Sequence, residues 1–305
     1  MKRLYKSFYT AITLAVILLA CSDDGAPEFP TSVELHYSVA GRQAAFTALA
    51  HSADSYSWDF GDGQTSNEKD PVHVYASGGY YTVTVSVSGK TGTDQKSAQL
   101  AVDVTPYVLL TGGPTATSGK TWKIDSSHPS GDKFALADAS FTSVQPLSTG
   151  VFSSVGYPEA YDDTFTFYFD GKYTVDANGA PSSDNKAFGG YVNALVTGKT
   201  GVKAVSGVSD VYDLCTANYT SDASATFTYT EDEDFAVPSI AGVTYSGVQT
   251  ITFTGGGYIG FLDAQTKVIL QSISDKSMRL VIFIAAVPGN YPKASHALVM
   301  TFKAV

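Results

Sequence analysis

The sequence predicts an all-β protein built from antiparallel sheets, and three observations carry that prediction. Apolar residues recur at period two where they cluster, as at Val72 and Val74 and again at Tyr81, Val83 and Val85, which is the spacing of strands with one buried face. Aromatic residues are plentiful, with 19 Tyr and 17 Phe, while charged residues make up only 16% of the chain; that mixture suits half-buried sheets and argues against disorder. No stretch carries the spacing of a long amphipathic helix, so fewer than roughly a tenth of the residues are expected to be helical. The 305 residues suffice for about two domains, each with a sizeable core.

The chain opens with MKRLYKSFYTAITLAVILLAC. A basic start precedes an apolar run that is short for a membrane span and shaped like a secretory signal. Leu18-Leu19-Ala20-Cys21 resembles the lipobox of bacterial lipoproteins, which implies that residues 1–20 are a signal peptide and that the Cys21 thiol carries a diacylglycerol. Ser22-Asp23-Asp24 resembles the signal that exports lipoproteins of Bacteroidota to the cell surface. The expected location is the outer membrane, lipid-anchored and facing outside. Residues 21–29 follow as a proline-containing tether. With Cys21 lipidated, Cys215 has no partner, so no disulfide framework is expected.

Residues 30–104 are expected to form the first domain, organised around WDFGDGQTSNEKDPVHVYASGGYYTVTV at residues 58–85. Gly61-Asp62-Gly63 supplies the positive φ angles and the Asp cap of a tight reversal, and Gly78-Gly79 is read as a second reversal. This run resembles the PKD (polycystic-kidney-disease) repeat. Its W-D-F-G-D-G element is filled from Trp58 to Gly63, P-x-H-x-Y by Pro71, His73 and Tyr75, and G-x-Y-x-V by Gly79, Tyr81 and Val83. The resemblance implies an immunoglobulin-like β-sandwich that serves as a spacer or adhesion module. Trp58 is then the tryptophan on which the sheets pack. His73, with no second ligand at metal spacing, is read as a hydrogen-bonded packing residue.

Residues 105–117, rich in Gly, Thr and Pro, are expected to be a linker. Gly113 with Gly119-Lys120-Thr121 nearly spells a phosphate-binding loop, but it has one residue too many and a strand pattern after it. The G-x-G-x-x-G match from Gly255 to Gly260 likewise lies between strand patterns, with no helix to aim amides at a phosphate.

Residues 118–305 read as a second all-β domain. Strand-length runs fall at 121–125, 164–169, 172–176, 225–230, 248–254, 258–262, 268–273, 278–284 and 297–302. Asp170-Gly171 and residues 274–277 are hairpin turns. The expectation is an antiparallel β-sandwich of jelly-roll type, with a lipocalin-like barrel as the alternative. Ser118-Gly119-Lys120-Thr121-Trp122, Tyr161-Asp162-Asp163 and the stretch from Gly256 to Phe261 resemble a module found behind PKD units in surface lipoproteins encoded with polysaccharide-uptake systems. That likeness implies glycan binding. Where relatives place tryptophans before the Tyr-Asp-Asp, this chain offers Tyr157 and Tyr161.

The net charge of −10 disfavours nucleic acid and other anionic partners, which need a basic surface. Without Lys2, Arg3 and Lys6 of the leader the balance is 16 basic against 29 acidic residues. A secreted sandwich enzyme is expected to use two facing carboxylates, but the E-x-D-x-x-E pattern of laminarinase-like enzymes does not occur, and adjacent Asp162 and Asp163 on a strand point to opposite faces. The run Glu231, Asp232, Glu233, Asp234 is read as a solvated loop, with calcium as its alternative chemistry. The His residues form no metal spacing and no G-x-S-x-G is present. No enzyme, cofactor or metal is therefore expected.

For binding, a sugar needs aromatic rings for its CH faces and polar groups for its hydroxyls. The candidates are Trp122, Tyr157, Tyr161, Asp162, Asp163 and Tyr191, centred on the loop 141–163, the longest segment of the second domain without strand periodicity. The competing roles are Trp122 as core, Tyr161 as a staple of the loop, and the Asp pair as turn caps. The expected function is a surface lipoprotein that binds a neutral polysaccharide or oligosaccharide without cleaving it. The alternatives are an adhesive lipoprotein with a protein partner and, third, a secreted glycoside hydrolase.

Overall fold

The structure, a computed structural model, describes residues 28–177, 186–190, 203–204, 214–219 and 222–305. Helix accounts for 7% and strand for 52%, so the fold is all-β as expected: an immunoglobulin-like sandwich followed by a larger β-sandwich with a curled sheet. Cys21 and Tyr191 lie outside the described residues.

The first domain contains β1 (Ser32–Ala40), β2 (Gln43–His51), β3 (Ser55–Asp59), β4 (Thr65–Ser66), β5 (Val72–Val74), β6 (Gly79–Gly89) and β7 (Gly92–Val102). One sheet has the order β1-β2-β5 and the other β4-β3-β6-β7. Trp58 is fully buried, 5.3 Å from the Phe46 ring, and its Nε1 donates to Glu68 O at 2.9 Å. His73 is a packing residue: it stacks on Phe60 at 4.2 Å and its Nε2 lies 2.7 Å from Asp62 Oδ2. Gly61 and Gly63 have φ of +77° and +86°, which only glycine adopts without strain. Gly78 works differently from the expected reversal. Its φ is ordinary, and it is glycine because an added Cβ would meet Asp103 O at 2.1 Å, so it permits a close backbone approach.

The segment read as a linker carries α1 (Pro106–Thr111). Thr105 caps it through Val108 N, proline takes the first turn, and Gly112 closes it at φ +83°, the three signals that delimit a short helix. Leu110 of α1 is buried in the core of the second domain, and its carbonyl accepts the Trp122 indole N–H at 2.9 Å.

The second domain continues with β8 (Lys120–Ile124), β9 (Lys133–Leu136), β10 (Ser143–Pro146), α2 (Val151–Ser154), a 3₁₀ turn (Pro158–Tyr161), β11 (Thr164–Phe167), β12 (Tyr173–Asp176), β13 (Lys186–Gly190), β14 (Lys203–Ala204), β15 (Leu214–Asn218), β16 (Phe227–Ala236), β17 (Thr244–Phe253), β18 (Lys267–Ile273), β19 (Ser277–Ile284) and β20 (His296–Ala304). The large sheet runs β12-β11-β8-β20-β19-β18-β17-β16, with β9 and β10 attached beside β20. It curls until its end strands meet through a single bridge, Lys172 to Thr226. A second sheet has the order β13-β15-β14; Phe188 of β13 lies 5.3 Å from Phe261 and Tyr219, just after β15, 5.0 Å from Tyr258 in the segment between β17 and β18.

Strand β19 shows why this half reads as uninterrupted apolar sequence. Met278, Leu280 and Ile282 enter the larger core while Val281 and Phe283 enter a second one on the opposite face, as side chains alternate across a strand. Two expectations are corrected. Residues 258–262 form no strand: Gly260 at φ +67° bends the chain, and the segment is buried as a turn. The acidic run 231–234 is not a loop but part of β16, where Glu233 pairs with Lys267 at 2.7 Å and accepts the Thr250 hydroxyl.

Candidate functional site

The loop 141–163 is more ordered than its sequence suggests. It contains β10, α2 and the 3₁₀ turn, and it is anchored from beneath. Tyr161 Oη lies 2.9 Å from His128 Nε2 and accepts the Phe152 N–H at 3.1 Å. His128 Nδ1 in turn lies 3.2 Å from Asp132 Oδ2. Asp132 also accepts the Thr301 hydroxyl at 2.7 Å and its N–H at 2.9 Å, and pairs with Arg279 at 3.3 Å. Burial pushes the Asp132 carboxyl up, but the bonds from His128 and Thr301 and the charge of Arg279 outweigh it and hold the group below its ordinary value. This is a structural tie between the loop and the central strands.

The predicted ligand residues do not form an open platform. Trp122 is 0% exposed and belongs to the core. Tyr157 is 4% exposed and stacks on Phe188 at 4.6 Å. Tyr161 is half-buried and committed to His128. Asp162 is exposed, whereas Asp163 is 1% exposed. Among the described residues, neither Asp163 oxygen has a hydrogen-bond partner. Burial first, and then the charges of Asp176, Asp162 and Glu159, push its pKa up to about 8. The aromatic residues are inside for a simple reason: a curled sheet of this size needs large side chains to fill it.

The loop instead supplies one wall of a concavity of about 140 Å³. Leu147, Val151, Phe152 and Val155 come from the loop, and Phe134, Phe188, Phe261, Ile284 and Leu298 from the strands around it. Its polar groups are Gln145, which is exposed, and Asp263, which is 7% exposed. Asp263 Oδ1 accepts the N–H groups of Ala264 at 2.6 Å and Ala285 at 3.1 Å. Burial pushes its pKa up to about 6, opposed by those two bonds. A Cβ on Gly190 would come within 2.6 Å of Asp263 Oδ2, so glycine there leaves room for the carboxylate. The missed lining residues carry no common motif, because they come from separate strands. Their one signal is the isolated acid in the apolar run Gly260-Phe261-Leu262-Asp263.

Among the described residues, no group of three or more His, Cys, Asp or Glu is placed to hold a metal ion. No helix among them is long and apolar enough to cross a membrane.

The PKD domain family matches residues 31–104. Collagenase ColQ1 of Bacillus cereus is 54% identical over 43 residues, which are 14% of this chain and 4% of the collagenase. The crystal structure of the PKD1 domain from the Vibrio cholerae metalloprotease PrtV is 31% identical, with 25% of this chain and 100% of that chain covered and a TM-score of 0.24. A carbohydrate-binding module of the β-sandwich superfamily covers 92% of this chain and 94% of its own at 11% identity, with a TM-score of 0.26; a likeness at that level carries no functional weight. The tryptophan-centred sandwich, its Gly-Asp-Gly turn and the family match agree, and residues 31–104 are a PKD domain.

Proposed function

We propose that this protein is a surface lipoprotein of the outer membrane, anchored through a diacylated Cys21, in which the PKD domain displays a non-catalytic binding domain for a neutral polysaccharide or oligosaccharide. The observation that carries the binding role is the concavity walled by the loop 141–163. It is preformed, apolar over most of its surface and supplied with two polar groups, Gln145 and Asp263, which is the general make-up of a ligand site on a rigid sheet scaffold. A sugar ring lays a CH face on the aromatic and aliphatic walls while Gln145, at the mouth, takes its hydroxyls. The acidic balance of the chain favours neutral over anionic polymers.

Affinity electrophoresis through gels containing a panel of neutral polysaccharides tests this reading. Retardation by at least one of them, without release of reducing sugar, is the expected result. Release of reducing sugar would make the protein an enzyme, and free migration in every gel would remove the glycan.

An adhesive role is the second reading, and one observation favours it. Leu49 and Val72 of the PKD domain are 57% and 58% exposed, and outward apolar residues on a sheet are a feature of protein-binding surfaces.

A further inference from the structure

The concavity has an interior that its mouth does not explain. Beyond Gln145 the lining offers one polar side chain, Asp263. That carboxylate shares an otherwise apolar lining with Phe188, Phe261 and Ile284, where burying a charge is costly unless it is compensated. Among the described residues, the hydrogen bonds it accepts are those of the two backbone N–H groups on Oδ1. Among the described residues no lysine, arginine or histidine forms an ion pair with it. With a pKa of about 6, the group is largely ionised at neutral pH.

The volume sets the size of what fits. An apolar cavity of about 150 Å³ holds a benzene-sized molecule, and this one measures about 140 Å³. The complement to the whole lining is thus a single ring or a branched alkyl group with a positively charged donor at one end.

We infer that the cavity is a binding site for a small apolar amine, its ring or alkyl body against Phe152, Phe188 and Phe261 and its ammonium group donating to the Asp263 carboxylate. The amine supplies a cation that no described residue pairs with this carboxylate, and a charge-assisted hydrogen bond in an apolar surround is stronger than a neutral one. The inference rests on the same cavity as the polysaccharide reading but names a different, small ligand; benzylamine titration tests the one and retardation in polysaccharide gels the other, so the failure of either is read separately.

Isothermal titration of the purified full chain with benzylamine, toluene and benzoate tests it. Benzylamine is expected to bind at least about tenfold more tightly than toluene, and benzoate is expected not to bind. Asp263→Asn should remove the advantage of benzylamine over toluene while leaving toluene binding in place. Val155→Trp, which fills the cavity from a half-buried position at the end of α2, should abolish both. If Asp263→Asn does not fold, the comparison of the three ligands on the native chain and on Val155→Trp decides alone. Benzylamine binding no tighter than toluene, full benzylamine affinity in Asp263→Asn or Val155→Trp, or no binding of any ligand would overturn the inference.

Discussion

The hydroxyl of Tyr161 lies 2.9 Å from Nε2 of His128, so a tyrosine that reads as a candidate sugar platform is instead the peg that fixes its loop to the sheet. Removing only the hydroxyl isolates this role. Tyr161→Phe leaves His128 and the Phe152 N–H without their partner and is expected to cost about 1–3 kcal/mol, seen as a lower thermal midpoint. Glycan retardation at temperatures where the variant is folded should be unchanged.

Tyr157 gives a sharper distinction. Its ring is buried against Phe188, so Tyr157→Ala empties a core position and should cost about 3–5 kcal/mol. For a domain of this size that lowers the melting temperature by roughly 6–20 °C. A shift of under a degree or two would restore Tyr157 as an exposed ligand residue.

Asp163 predicts a pH dependence. Its pKa is 3.8 when exposed and about 8 in the fold, so over that interval the unfolded chain has lost a proton that the folded one retains. Stability contributed by the protonated group is full at low pH and declines as pH rises from about 4 to about 8. Asp263, at about 6, acts in the same direction over the lower part of the range. The variant Asp163→Asn should be more stable than the native chain, by a margin that grows from pH 5 to pH 8 in thermal melts. A margin that stays constant across that range would show that Asp163 does not titrate there.

Much of the fold was legible in the sequence, and the losses have physical causes. The Gly-Asp-Gly turn, Trp58 and the period-two runs are local signals, and each maps onto the structure directly. Helix α1 does not show in the sequence pattern although Thr105-Pro106 and Gly112-Gly113 bracket it, because six residues are too few to show a period. The stretch 258–262 reads as a strand because burial, not alternation, makes it apolar. The loop 141–163 stands out in the sequence for its lack of strand periodicity, but the inward facing of Tyr157 and Phe152 does not show there. Whether Tyr157 faces solvent or Phe188 depends on a strand about thirty residues away. The tie from His128 through Asp132 to Arg279 and Thr301 joins residues far apart in the chain, and no spacing rule reaches them.

The anchor is tested independently of the fold. Cys21→Ala should abolish incorporation of a labelled lipid precursor and leave an unprocessed or soluble form on fractionation. Unchanged labelling and membrane association would remove the lipoprotein from the account. Protease added to intact cells should degrade the native protein if it faces outside.

Glycan binding at the cavity walled by the loop 141–163 is separated from binding elsewhere by one comparison. Affinity electrophoresis of the native chain, Tyr161→Phe and Val155→Trp is run in a gel containing a polysaccharide that retards the native chain. Retardation retained in Tyr161→Phe and lost in the folded, cavity-filled Val155→Trp is the predicted result. Equal retardation of Val155→Trp and the native chain would place the glycan elsewhere on the protein.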